Sequence, residues 1–196
     1  MIKLKYLTLI VAALMGGLAY AAPLGASAEQ TAAGMWAQVY PDGRVGGWFL
    51  IFEEDGVFEG AIAKMFLKPD EDPDPICTHC PGEQKNMHSL GLVIIKGMQR
   101  NGLVYENGSI LDPRDGHVYR AKLTLSPDGQ QLTVRGYLGI ELLGQSQVWR
   151  RLPDDVLPLD QMPANLVPYW LAMQKAQGGM MPDGGPPQTG SIRSRQ

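Results

Sequence analysis

At 196 residues the chain is long enough for one domain with appendages and a real core. Lys plus Arg number 17 against 20 Asp plus Glu, a net charge of −3, and no basic cluster occurs in the body, which excludes a nucleic-acid partner. Gly (24) and Pro (15) are over-represented, as suits many short strands joined by turns rather than long helices.

The first 28 residues read as a signal peptide. Lys3 and Lys5 form a charged start, Tyr6–Leu18 an apolar stretch broken by Gly16-Gly17, and Ala26-Ser27-Ala28 a small-residue cleavage site, with Ala19-Tyr20-Ala21 as an alternative cut. An uncleaved anchor is the competing reading, because Tyr6–Ala22 is barely long enough to span a bilayer. Cleavage predicts a periplasmic protein with no stable membrane insertion, and it removes two lysines and no acid, leaving the product more acidic.

From Gly34 onward the pattern is strand, turn, strand. Gly34–Tyr40 opens it, Pro41-Asp42-Gly43-Arg44 is a turn, and Gly47–Phe52 is an apolar strand. After the turn Glu53–Gly56, Val57–Leu67 alternates as a long strand with Gly60 a bend or bulge. Lys68–Ser89 carries four prolines and dense polar residues, so it is a long loop, and such loops are functional or tied down. Leu90–Lys96 is a buried strand. Gly97–Asn101 connects it to Leu103–Glu106, and Asn107-Gly108 is expected to turn before Ser109–Leu111. His117–Leu125, Gln131–Leu138 and Gly144–Arg151 then form an antiparallel meander, its first turn marked by Asp128-Gly129. Eight or nine short strands in sequence predict an all-β, antiparallel up-and-down barrel, which leaves no sheet edge exposed. The barrel domain is bounded at residues 29–152. The Pro-rich extension 153–196 carries a short helix around Asn165–Gln174, an exposed aromatic segment at Pro168–Leu171 and disorder beyond about residue 176.

Several motifs together, Gly34-x-Trp36, Gly91-Leu92, Ile110-Leu111-Asp112-Pro113 with Gly116 and Tyr119, Leu132-x-Val134-x-Gly136-Tyr137 and Gly144-Gln145-Ser146-Gln147-x-Trp149-x-Arg151, resemble a family of exported bacterial proteins known as domain of unknown function 2147, over roughly residues 34–151. The resemblance implies a lipocalin-like barrel and no established activity or ligand. It also accords with a structural closure in which an arginine of the last strand stacks on Trp36. Arg150 and Arg151 are the two candidates, and only one of them can face the right way.

Chemistry is sparsely signalled. Cys77 and Cys80 have three readings: a disulfide closing a short loop, a redox-active pair, or a metal site with His79 and His88. The disulfide is favoured in an exported chain with no other cysteine, so no metal and no cofactor is expected. Asp70, Glu71, Asp72 and Asp74 read as a solvated acidic loop rather than a calcium site. Asp112–Gly116 reads as a turn in which Arg114 pairs with Asp112 or Asp115. His117 borders Asp115, but no motif supplies a serine to complete a triad, and no catalytic residue is assigned. The remaining candidate is the barrel interior, with Tyr119, Ala121, Leu123, Leu132, Val134 and Leu138 facing inward. Such an interior either fills with side chains or holds one small ligand. The expected function is therefore a binding module for a small apolar or amphipathic molecule. The alternative is an envelope interaction or structural protein using the Cys loop or the C-terminal extension, its protein partner unknown.

Overall fold

A computed structural model describes residues 30–176; the expected signal peptide and the tail beyond Ala176, with the disorder expected there, lie outside the described residues. Eight antiparallel strands close into a barrel in simple sequence order. They are β1 (Gly34–Val39), β2 (Val45–Glu54), β3 (Val57–Met65), β4 (Val93–Asn101), β5 (Val104–Leu111), β6 (Val118–Leu125), β7 (Gln131–Tyr137) and β8 (Gln145–Arg151). Closure comes from β1 pairing with β8 in the register Trp36–Arg151, Ala37–Arg150 and Gln38–Trp149. Turn chemistry drives the up-and-down path: Gly43, Gly56, Gly102 and Gly129 take positive φ where the hairpins reverse.

Two expectations need correction. Gly97–Asn101 is not a connector but the second half of β4, and the chain reverses at Gly102 instead. Asn107-Gly108 is not a turn either. It is a bulge inside β5, with Asn107 at φ 65° and the β5–β6 register slipping between Tyr105 and Gly108. The cause lies across the sheet, since a Cβ on Gly108 would strike the Met98 sulfur and the Lys96 carbonyl of β4. A Gly that permits close strand approach and a Gly that permits a turn look identical in one dimension.

The barrel interior is packed. Trp36, Phe49, Ile51, Phe58, Met98, Tyr105, Leu123, Leu132 and Trp149 form one buried cluster. Phe49 and Trp149 stack with ring centroids 4.2 Å apart, and Phe58 meets Tyr105 edge-on at 4.8 Å.

A second core lies outside the barrel. The outward residues Met35, Leu50, Phe52, Ala61 and Ala63 of β1–β3 are covered by Leu157, Met162, Leu166, Trp170 and Met173 of the C-terminal extension. The last two belong to helix α1 (Val167–Ala176). Trp170 is only 8% exposed, and its indole N–H donates to the Asp154 carbonyl at 3.1 Å. Tyr169 stacks on Phe52 at 4.0 Å. The expectation of an exposed aromatic segment is thus overturned. β2 is apolar on both faces because both faces are buried.

Candidate functional site

Because the barrel is up-and-down, its two ends are built from alternate connections. One end gathers the lead-in at residues 30–33 with the β2–β3, β4–β5 and β6–β7 turns. This end is shut. The Arg151 guanidinium lies 4.3 Å from the centre of the Trp36 ring and donates to the carbonyls of Gly129, Ala33 and Thr31. Burial pulls that guanidinium below its ordinary pKa, while the nearby Asp154 carboxylate acts in the opposite sense. Trp36 donates its indole N–H to the Ala32 carbonyl at 2.8 Å, and the Tyr105 hydroxyl accepts from the Ala32 N–H at 2.8 Å. Arg150 points to the exposed outer face, so Arg151 is the member of the pair that meets Trp36.

The opposite end gathers the β1–β2 turn, the long β3–β4 loop, the β5–β6 turn and the β7–β8 connection. Three structures share it. The first is the Cys loop. Cys77 and Cys80 are joined in a disulfide, and both are buried (0% and 3% exposed) in the same cluster as Leu92 and Leu111. The chain's having just two cysteines made the disulfide legible; its position as part of the core at the barrel mouth was not. The loop folds on itself through Cys77 N–H to the Met87 carbonyl, Asn86 N–H to the Cys77 carbonyl and Ser89 N–H to the Pro75 carbonyl, each 2.8 Å. It touches the β5–β6 turn, where the Cys77 sulfur lies 3.2 Å from the Pro113 carbonyl. Gly116, at φ 75°, has no room for a Cβ because the His79 carbonyl occupies that space.

With both thiols oxidised, the cysteines are removed from the weak metal set. His79 is exposed with its ring beside the Thr78 hydroxyl, and His88 pairs with Asp74 at 2.9 Å. Among the described residues no group of three or more metal-ligating side chains is assembled. Replacing both cysteines by Ala is expected to lower the unfolding free energy by on the order of 2 kcal/mol, the loop-closure value for so short a link. Urea denaturation would read this, and limited proteolysis should cut first within residues 68–89 while the strands stay protected.

The second structure is the charged rim. Arg114 pairs with Asp112, as one of the two expected partners, and this bond holds the Asp112 carboxyl below the usual carboxylate range. His117 Nδ1 lies 3.1 Å from Asp115, whose other oxygen accepts the His117 N–H. Both pairs are internal to the turn that begins with Gly116 N–H bonded to the Asp112 carbonyl.

The third is a vestibule between β1 and β7–β8. By strand alternation Gln145, Gln147 and Trp149 face inward, and Trp149 is buried. Gln147 nevertheless remains exposed, and Gln38, which lies opposite Trp149 on β1 and is diagonal to Gln147, is half-buried. Water therefore reaches the inward-alternating side of β8 at Gln147, one step above the buried Trp149. The Gln38 amide donates to the Gln147 amide oxygen, which also accepts the Trp149 indole N–H at 3.3 Å. The amide pair is thus joined directly to the buried Phe49–Trp149 stack. Of the six residues expected to line a cavity, Ala121, Leu123, Leu132 and Val134 are buried and packed into the core below this level. Tyr119 is half-buried nearer the mouth. Leu138 lies beyond the end of β7 and is 62% exposed, because the strand stops at Tyr137. Gln38 and Gln147 were missed, since polar inward residues carry no apolar signal. A shallow open hollow of about 170 Å³, lined by Ala63, Met65, Leu67, Leu90 and Leu157 among others, lies against the outer face of β3 and not in the lumen.

A family model described as "Uncharacterized protein conserved in bacteria (DUF2147)" matches residues 34–151. Among solved structures the chain is similar to one described as "Protein HP1028 from the human pathogen Helicobacter pylori belongs to the lipocalin family". The identity is 17% and the TM-score 0.56, covering 71% of this chain and 95% of that one. At that identity the likeness concerns the fold alone. No curated protein sequence gives a significant match.

Proposed function

We propose, from the premise that this chain belongs to the DUF2147 family of bacterial proteins, that it is an exported binding module holding a small amphipathic molecule at the open end of its barrel. The observation that carries the reading is the solvent-reached Gln38–Gln147 amide pair at the mouth, next to the Phe49–Trp149 stack. The neighbouring aromatic stack favours an apolar ring or chain, and the Gln38–Gln147 amides supply both donors and acceptors for a polar group. The packed core beneath limits the ligand to the mouth rather than the full depth of the barrel. Export is supported by the N-terminal segment and by the buried disulfide, since such bonds persist in oxidising compartments.

Native mass spectrometry of the protein recovered from the periplasm of its own cells tests this. A bound small molecule is expected, lost on organic extraction and absent from Gln147→Trp, whose ring would fill the vestibule. Recovery of the bare chain alone, or a bound mass unchanged in Gln147→Trp, would overturn the assignment.

A further inference from the structure

Four residues stand out for exposure among the described large hydrophobics. Leu138, Ile140, Leu142 and Leu143 are 62, 60, 83 and 76% exposed, whereas every other is below half. All four lie in the seven-residue connection between β7 and β8, at the open end of the barrel. Scattered exposed leucines are ordinary, but a cluster confined to one connection calls for a partner.

This connection is also held in shape. The Arg135 guanidinium donates to the Glu141 carbonyl at 2.8 and 3.0 Å, to the Leu142 carbonyl at 3.1 Å and to the Ser146 hydroxyl at 2.8 Å. Lys122 pairs with Glu141 at 3.2 Å, and a 3-10 turn spans Glu141–Leu143. Two tip carbonyls are thus satisfied from behind and two tip N–H groups within the turn, while the leucine and isoleucine side chains stay exposed. Behind the tip, the outer faces of β6 and β7 carry Arg120, Lys122 and Arg135, with Lys122 and Arg135 directly opposite in register. Glu141 is the acid among them, and it is already neutralised by Lys122.

An apolar tip backed by cations matches one class of surface. We propose that the β7–β8 connection docks the barrel peripherally on an anionic phospholipid bilayer, with Ile140, Leu142 and Leu143 entering the interface and Arg120, Lys122 and Arg135 lying at phosphate level. Apolar burial and attraction to anionic headgroups together set the strength of such docking. A protein partner fits less well. A specific protein interface draws roughly 20–30 residues from each side, whereas the exposed apolar residues here are four, on one seven-residue connection. The tip shares the open end with the acidic β3–β4 loop (Asp70, Glu71, Asp72 and Asp74), so the contact is confined to the β6–β8 side of that end, and the docking itself does not depend on the ligand reading.

The test is co-sedimentation of the purified full chain with vesicles of phosphatidylglycerol and phosphatidylethanolamine, compared with Leu142→Gln/Leu143→Gln. The two share every other segment, so a difference isolates the tip. Because both leucines are exposed, the double variant should melt with the wild type. Expected results are a vesicle affinity at least tenfold weaker in the double variant and a further weakening of wild-type binding in 0.5 M salt, as screening predicts at about that strength. In Leu142→Trp, the added indole should shift to the blue on vesicle addition. Equal binding by wild type and double variant, or binding by neither, overturns the proposal. So does a wild type that self-associates through this connection, shown by a double variant that becomes monomeric.

Discussion

A chain ended at Leu152 is expected to accumulate as aggregate, and Trp170→Ala in the full chain is expected to lose about 3–5 kcal/mol of unfolding free energy, the usual range for emptying a buried Trp site. The reason lies on the outer face of β1–β3, where Met35, Leu50 and Phe52 are each no more than 3% exposed beneath the extension. Removing the cover would expose these side chains together with Ala61 and Ala63, forming an apolar patch of the kind that drives association. Trp170 also leaves the Asp154 carbonyl with one donor fewer, Gln174 being the other. Urea unfolding followed by tryptophan fluorescence and by far-ultraviolet dichroism measures the loss, and both probes should move together if extension and barrel unfold as one unit. A loss below about 1 kcal/mol would mean that the extension only rests on the barrel. A chain ended at Ala176 retains every contact of this second core among the described residues and serves as the comparison.

Arg151→Met should cost a similar amount, about 3–5 kcal/mol, by a different route. The stack on Trp36 accounts for roughly 0.5–2 kcal/mol of it. The remainder comes from the carbonyls of Gly129, Ala33 and Thr31, which lose a donor where water reaches poorly. Arg151→Lys keeps the charge but lacks the planar fork that reaches three carbonyls while lying on an indole, so it should recover only part of the loss. Arg150→Ala, on the exposed outer face, should stay within about 0.5 kcal/mol of wild type. A double-mutant cycle between Trp36→Phe and Arg151→Met separates the stack from the carbonyl bonds, and a coupling of zero would show that the ring contact contributes nothing to closure.

These two sites differ in how readable they were. The arginine closure was narrowed to two adjacent residues by pattern, and alternation said that only one would serve; the choice of Arg151 required the β1–β8 register, which a linear pattern does not carry. The extension was read as a Pro-punctuated appendage with an exposed aromatic segment. A usable signal was present in β2, where Trp48 through Phe52 are apolar at consecutive positions and so demand burial on both faces. The amide pair of the vestibule had no comparable signal, because Gln38 and Gln147 alternate into the lumen at a level where polar side chains suit a wet mouth. Leu138 was placed inward by extending the β7 alternation one residue past the strand's end.

What the amino-acid sequence determined alone was local and periodic: the hairpin turns, the period-two strands, the antiparallel barrel and the disulfide pairing of the two cysteines. Each follows from backbone sterics or from the absence of any other partner within the chain. What only the tertiary structure decided was which apolar residues share an interior. It set the Cys loop into the barrel mouth, wrapped the extension over β1–β3, filled the deep lumen and left the β7–β8 leucines outside. Burial depends on which distant surfaces meet, and strand closure brings together residues more than a hundred positions apart, such as Gln38 with Gln147 and Thr31 with Arg151. Such encounters are set by register and barrel geometry, quantities that no short stretch of the chain specifies.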